Sequence, residues 1–156
     1  MKDNRFKDGR EHLFTIIEPT KDDPVIICCP KCARKAFVVP ESKDRVKATC
    51  IECGFNVTGS SNSRSFYWHD ENPTDGYFGY DLWLRTDCCG NSLWAFNKKH
   101  LEFLESYVTA SLRERFKDND LGWSNSSLAG RLPKWIKAAK NRDALIKAIN
   151  ELKAKA

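Results

Sequence analysis

Short apolar runs separated by polar turns occupy the first third of the chain. The runs with the length and composition of β-strands are residues 13–17, 25–27, 36–39, 45–49 and 55–58. In the run at 45–49, basic side chains alternate with apolar ones, as they do in a strand with one exposed face. The pattern therefore predicts a small antiparallel sheet within residues 25–58, preceded by an N-terminal arm at residues 1–24.

The hydrophobic pattern changes after the small polar stretch 59–65, which we interpret as a linker. Residues 79–86 and 91–96 are rich in aromatic and aliphatic side chains, and the Gly-containing turn between them predicts a β-hairpin. Asn97 is placed to cap a helix at 98–117. The apolar stripe of that helix is formed by Leu101, Leu104, Val108 and Leu112.

Two further helices are predicted near the C-terminus. Pro133 favours the start of a short helix at residues 134–140, because its missing N–H is not needed in a first helical turn. A last helix is predicted at 142–156, with an inward face formed by Leu145, Ile149 and Leu152. Such a tight helix pair is typical both of helix-turn-helix units and of plain structural packing.

The most specific motif is a repeated cysteine pair. Cys29-Pro30-Lys31-Cys32 and Cys50-Ile51-Glu52-Cys53 are separated by seventeen residues, the spacing of a four-thiolate zinc site. Cys29, Cys32, Cys50 and Cys53 are therefore the expected ligands of one Zn²⁺. Four protein ligands leave no coordination position for water or substrate, so the predicted ion is structural and stabilises strands too short to bury much surface.

The order of turn, hairpin, turn and strand in residues 25–58 resembles the zinc ribbons of general transcription factors, of the transcription factor IIB type. The later part of the chain resembles small bacterial proteins that carry such a ribbon. That second resemblance rests on the segments 81–90, 93–97, 100–101, 112–115 and 132–135. It implies a class of protein and no particular activity.

The expected fold class is α+β: a zinc ribbon of short antiparallel strands, then a β-hairpin packed on α-helices. The predicted organisation is an arm at 1–24, the ribbon at 25–58, a linker at 59–65 and a hairpin-plus-helix domain at 66–156.

The remaining cysteines and two histidines leave alternatives open. Cys28 precedes the first ligand and is expected to point away from the metal. The adjacent Cys88 and Cys89 should point to opposite faces of a strand, which favours one buried and one turn residue over a redox or second metal site. His100 falls in the first helical turn, where a cap or packing role is expected, whereas His69 is followed by two acidic residues. His69 could act as a general base or a metal ligand, but no further catalytic or ligand residue follows it at a recognisable motif spacing.

The basic residues are distributed unevenly. Residues 131–156 contain eight bases and two acids, a net charge of +6, against +5 for the whole chain. If the chain binds nucleic acid, the candidate contacts are Lys31, Arg34, Lys35, Arg45 and Lys47 in the ribbon and Arg131, Lys134, Lys137, Lys140 and Arg142 near the C-terminus. The aromatic residues Phe37, Phe55, Tyr67 and Trp68 lie near these bases and are either core residues or stacking platforms for unpaired bases.

Two classes of function agree with this pattern. The first is a non-catalytic module that binds DNA or RNA, and the second is a protein-interaction adaptor whose basic helices contact an acidic partner. An enzyme that uses His69 or the Cys88–Cys89 pair comes third, because the chain has no Gly-rich phosphate loop, nucleophile elbow or His-Glu-x-x-His motif. The short apolar runs and the charged N-terminus predict a cytoplasmic protein without a signal peptide or membrane association.

Overall fold

The computed structural model describes residues 5–7, 19–62, 73–110, 112–114 and 132–156. The chain is mixed α/β, with antiparallel sheets and a C-terminal helix. The strands are β1 (Arg5–Lys7), β2 (Val25–Cys28), β3 (Lys35–Ser42), β4 (Arg45–Thr49), β5 (Asn56–Ser60), β6 (Leu84–Cys88), β7 (Asn91–Ala95) and β8 (Leu112–Glu114). The helices are α1 (Lys98–Thr109), α2 (Lys134–Lys137) and α3 (Arg142–Lys155). The predicted strand at 13–17 and His69 lie outside the described residues.

Strands β2 to β5 form one antiparallel sheet in chain order, as the alternating pattern predicted. Side chains of successive residues point to opposite faces of a strand, so the sheet has a buried face and a more exposed one. The buried face is formed by Val25, Ile27, Ala36, Val38, Val46 and Ala48. Phe78, in the loop at residues 73–80, lies against this face at Gly59, where a Cβ would lie 2.8 Å from the Phe78 ring.

Strand β2 also bonds to the second half of the chain. The N–H of Ile26 donates to the carbonyl of Phe96 at 2.8 Å, and the N–H of Cys28 donates to the carbonyl of Asp81 at 2.8 Å. In the other direction, the N–H of Trp83 donates to the carbonyl of Ile26 at 3.2 Å. The sheet and the hairpin region therefore share backbone hydrogen bonds through β2.

The predicted hairpin is confirmed, with a shorter first strand. Strands β6 and β7 pair from Leu84–Ala95 to Cys88–Asn91. The loop has two residues, Cys89 and Gly90, with φ angles of 56° and 76°. Positive φ at both positions is the signature of a type I′ turn, whose twist matches that of the flanking strands. Residues 79–83, predicted as part of the first strand, lie outside β6, and Asp81, Leu82 and Trp83 instead pair with the edge of β2.

Helix α1 begins as predicted and ends earlier. Asn97 caps it, because its side-chain oxygen accepts the N–H of His100 at 2.8 Å. The predicted end at residue 117 is wrong: the helix ends at Thr109, and Ala110 has extended backbone with ψ 131°. The carbonyl of Ala110 accepts a hydrogen bond from Arg142 Nη2 at 3.2 Å. This donor takes the place of the backbone N–H that would bond to the carbonyl if the helix continued. Leu112, expected on the helical stripe, lies in β8, which pairs in parallel with β1.

The two C-terminal helices differ in how well they were predicted. The short helix ends at Lys137 and not at residue 140, and a 3₁₀ turn, Ala139–Asn141, follows it. The side-chain amide of Asn141 donates to the carbonyl of Trp135 at 2.8 Å. The last helix is confirmed, with Leu145, Ile149 and Leu152 buried where α3 contacts α1 and β6. None of the helices in the described part of the chain has the length and apolar composition needed to cross a membrane.

Candidate metal centre

The first cysteine pair sits in a tight turn between β2 and β3. The N–H of Cys29 donates to the carbonyl of Arg34 at 2.7 Å, and the carbonyl of Cys29 accepts the N–H of Ala33 at 2.9 Å. The N–H groups of Lys31 and Cys32 point at the Cys29 sulfur, at 3.4 and 3.5 Å. Backbone donors of this kind stabilise the negative charge of a thiolate.

The second pair repeats the same turn between β4 and β5. The N–H of Cys50 donates to the carbonyl of Phe55 at 2.8 Å, and its carbonyl accepts the N–H of Gly54 at 3.0 Å. Gly54 has a φ of 77°, a conformation that glycine adopts without steric cost. Two equivalent turns thus face each other at one end of the sheet.

The four cysteine sulfurs meet between these turns. All four lie within 4.8 Å of one another, and they form the sole metal-compatible group found in the described part of the chain. The sulfurs of Cys29 and Cys53 are 3.6 Å apart, as are those of Cys32 and Cys50. A tetrahedral Zn²⁺ site with Zn–S bonds of about 2.3 Å has sulfur–sulfur edges of about 3.8 Å. The four cysteines are therefore positioned to coordinate one metal ion, and the donor set fits zinc.

The environment of Cys29 also favours a metal ligand. Burial raises the pKa of its thiol, but the N–H groups of Cys32 and Lys31 and the thiol of Cys53 outweigh that effect and bring the pKa down to about 7. Zinc binds thiolates and displaces thiol protons. Cys29 therefore loses its proton at little cost near neutral pH.

Ala33 occupies the position that Gly54 has in the second turn, with a φ of 62°. A left-handed conformation costs an L-residue other than glycine roughly 1–2 kcal/mol. Replacing Ala33 by glycine would remove this strain. Glycine loses more conformational entropy on folding, however, and that loss offsets part of the stability gained. We expect Ala33→Gly to raise the free energy of unfolding by about 0.5–1 kcal/mol, measured by denaturant unfolding of the zinc-loaded protein.

The matched variant is Gly54→Ala, which introduces the same strain in the second turn. No atom lies within 4 Å of a Cβ at Gly54, so steric contact does not contribute. It should lower the free energy of unfolding by a similar amount. A loss of stability in Ala33→Gly would contradict the strained-turn explanation.

The other cysteines lie apart from the cluster. The Cys28 sulfur is 3.7 Å from the carbonyl oxygen of Leu82, which lies beside the edge of β2. Cys88 is buried and Cys89 is exposed, as one buried and one turn residue would be. The expectation that their side chains point apart is wrong, because their sulfurs are 3.5 Å apart.

The basic candidates on the sheet fall into two groups. Arg34 pairs with Glu52 at 3.0 Å, and this ion pair links the two cysteine turns; Lys31 is exposed beside it. Lys35, Arg45 and Lys47 lie on β3 and β4, on the face opposite the buried side chains. Lys35 also donates to the Ala156 carbonyl at 3.4 Å. The structure thus brings three of the predicted basic residues onto one sheet face.

The basic candidates near the C-terminus are not gathered in this way. Lys134 and Lys140 are exposed, and Lys137 is partly buried. Arg142 donates to the Ala110 carbonyl, so its guanidinium anchors the end of α1. Arg131, with Tyr67 and Trp68, lies outside the described residues.

Sequence reasoning missed Asp75, which organises the loop over the sheet. Its carboxylate is buried and accepts the N–H groups of Tyr77, Phe78 and Tyr80 at 2.9, 2.7 and 2.6 Å. Burial raises the pKa of this carboxyl, and the three backbone donors act against that effect. An aspartate followed by Gly76 is a turn signal, and that signal could have identified this loop.

No protein-family model matches the chain, and no curated protein or solved structure shows significant similarity to it. The four-cysteine cluster is compatible with a zinc ribbon on its own geometry.

Proposed function

We propose that the chain is a zinc-ribbon protein whose more exposed sheet face binds single-stranded nucleic acid. One observation carries this proposal: Phe37, which is half-buried and packs partly against the core, lies on the same face of the sheet as Lys35, Arg45 and Lys47. Phe37 pairs with Thr49 across β3 and β4, and the next pair on that face joins Val39 to Lys47. An aromatic ring beside basic side chains is the arrangement on which unpaired bases stack while their phosphates are neutralised.

The charges of this face support a local contact and not a long-range one. Neither β4 nor β5 contains an acidic residue, and the one carboxylate of β3 is the exposed Glu41 near the end of that strand. Four thiolates and one Zn²⁺ add a charge of about −2 to the ribbon, which offsets most of the excess of its basic side chains. Three phosphate contacts would give a slope of about −2 for log K against log salt on a single strand.

Binding of short labelled oligonucleotides, DNA and RNA, measured by fluorescence anisotropy tests this proposal. Phe37→Ala should weaken binding by about 1–3 kcal/mol, the stacking contribution of one base, whereas Phe37→Tyr should retain it. Replacing Lys35, Arg45 and Lys47 by glutamine should weaken binding and flatten the salt dependence. Zinc content and thermal unfolding verify that each variant is folded.

The matched control removes three exposed lysines that lie elsewhere, namely Lys21, Lys98 and Lys147. If this control weakens binding as much as the sheet variant does, the attraction is general and the sheet face is not the site. Absence of binding to both DNA and RNA at about 50 mM salt, where such contacts are strong, would end the proposal.

A protein-interaction adaptor is the second candidate, and Ile51 favours it. Ile51 lies between two ligand cysteines at the tip of the second turn, and 83% of its surface is exposed. A side chain exposed to this degree is available to enter an apolar pocket of a partner. A partner that remains bound after nuclease digestion and is lost in Ile51→Ser would favour the adaptor over the nucleic-acid module.

A further inference from the structure

The turn between β6 and β7 brings two thiols together. Cys88 is the last residue of β6, and Cys89 is the first residue of the type I′ turn, with a φ of 56°. In a regular strand, adjacent side chains point to opposite faces. Because Cys89 has left-handed backbone, its side chain leaves that alternation and its sulfur lies 3.5 Å from that of Cys88.

The turn that holds this dithiol is well supported. Cys88 pairs with Asn91 across the hairpin, and the Asn91 side-chain amide donates to the Cys89 carbonyl at 3.0 Å. Cys89 is exposed, so reagents reach the pair from solvent, whereas Cys88 is buried beneath it. Within the described ranges, the four-cysteine cluster is the one group of three or more side chains placed to hold a metal ion. The pair thus offers two sulfurs and no third ligand among those residues.

We propose that Cys88 and Cys89 form a dithiol site for trivalent, thiol-seeking compounds, of which an organic arsenic(III) oxide is the chemical prototype. In the reaction, the two S–H bonds and the arsenic–oxygen double bond break, and two arsenic–sulfur bonds form. The oxygen leaves as water and takes both thiol protons. Arsenic stays trivalent and the sulfurs keep their oxidation state, so neither an oxidant nor a reductant takes part.

The geometry suits one bridging atom better than a direct sulfur–sulfur bond. A disulfide would require the sulfurs to close from 3.5 Å to about 2.05 Å. It would also join residues whose Cα atoms are about 3.8 Å apart, below the usual range of about 4.4–6.8 Å. A bond formed under such constraint stores strain and is readily reduced.

The protonation of Cys88 points to the same chemistry. Burial and the neighbouring Cys89 thiol raise the pKa of Cys88 to about 11, so this thiol is neutral near pH 7. A metal cation that needs two thiolates must displace that proton at a cost. The condensation described above consumes neutral thiols and releases water.

Titration of the zinc-loaded chain with phenylarsine oxide tests the site. We expect one equivalent to bind, with an intact-mass gain of one phenylarsenic group less two hydrogens, reversed by excess ethanedithiol. Cys89→Asn should bind about 10²–10⁴-fold more weakly, because the second sulfur no longer reacts at high effective concentration. Asparagine is favoured in a type I′ turn, so this variant keeps the hairpin. Cys88→Ala should show the same loss.

Two measurements separate this site from the metal centre. A chromogenic zinc chelator should detect no zinc release at one equivalent, and Cys28→Ser, which removes another thiol near the sheet, should bind like the parent chain. Unchanged affinity in Cys89→Asn would overturn the proposal, as would stoichiometric release of zinc. A purified chain in which Cys88 and Cys89 are already joined as a disulfide would overturn it as well.

Discussion

Cys32→Ser should yield a chain with almost no bound zinc and an unfolded four-stranded sheet. The Cys32 sulfur lies 3.6 Å from that of Cys50, so its loss removes one corner of the proposed tetrahedron. Structural zinc contributes about 10–16 kcal/mol to zinc-finger peptides near neutral pH. Whole domains are stable by only about 5–15 kcal/mol. The strands of this sheet should therefore not remain folded without the ion.

Metal analysis of the purified chain and amide hydrogen exchange measure this result. The matched control is Cys28→Ser, which removes a neighbouring cysteine whose sulfur contacts Leu82 and not the cluster. That variant should keep one zinc per chain. A Cys32→Ser chain that retains its zinc, or a parent chain that is folded without zinc, would contradict the assignment of the metal centre.

The effect should extend beyond the sheet. The N–H of Trp83 donates to Ile26, and the N–H of Cys28 donates to Asp81, so both bonds depend on an ordered β2. Without the ion, the exchange of these amide protons should accelerate together with that of the sheet. Protection of Trp83 that persists in the metal-free chain would show that the hairpin region holds this backbone by itself.

Lowering the pH from 7 to 5 should destabilise the zinc-loaded protein through His100. This side chain is fully buried: its Nδ1 accepts the N–H of Phe96 at 3.2 Å, and its ring stacks on that of Phe96 at 5.6 Å. Burial lowers the pKa of His100 from 6.5 to about 3. Between about pH 3 and pH 6.5, the unfolded chain binds a proton at His100 that the folded chain does not. Stability therefore falls as the pH drops below 6.5, by about 1.4 kcal/mol per pH unit.

Urea unfolding of the parent chain and of His100→Gln at both pH values measures this contribution. Glutamine does not titrate, and its amide oxygen can accept the Phe96 N–H in place of Nδ1. The zinc thiolates respond to pH in both chains, so the difference between them isolates His100. We expect the parent chain to lose about 2 kcal/mol more than the variant between pH 7 and pH 5. Equal losses would mean that His100 is not held neutral by the fold.

The features predicted correctly from the sequence depend on neighbours along the chain. Cys-x-x-Cys spacing defines a turn, alternation defines a strand face, and Asn97 caps a helix through a bond three residues away. Gly54 at its position of positive φ belongs to the same group. The four cysteines of the metal centre were identified for this reason, since each half of the site is local.

The features predicted incorrectly depend on contacts between distant segments. Helical periodicity continues past Thr109, but the Ala110 carbonyl bonds to Arg142, thirty-two residues away, and the chain turns into β8. The approach of Cys88 and Cys89 depends on which residue begins the turn, and a shift by one position changes the face to which a side chain points. Periodicity contains neither kind of information.

The hydrogen bonds of β2 make metal affinity a property of the whole chain. An ion that stabilises the sheet also stabilises the hairpin region. Because such coupling is reciprocal, a more stable hairpin region must in turn raise the affinity of the cysteines for the ion. Substitutions in the core around Phe96, which is not itself a ligand, should raise the free zinc concentration at which the cysteines lose their ion. The affinity of this centre for zinc would then report on the packing of a core that the ligands Cys29 and Cys50 share with Phe96.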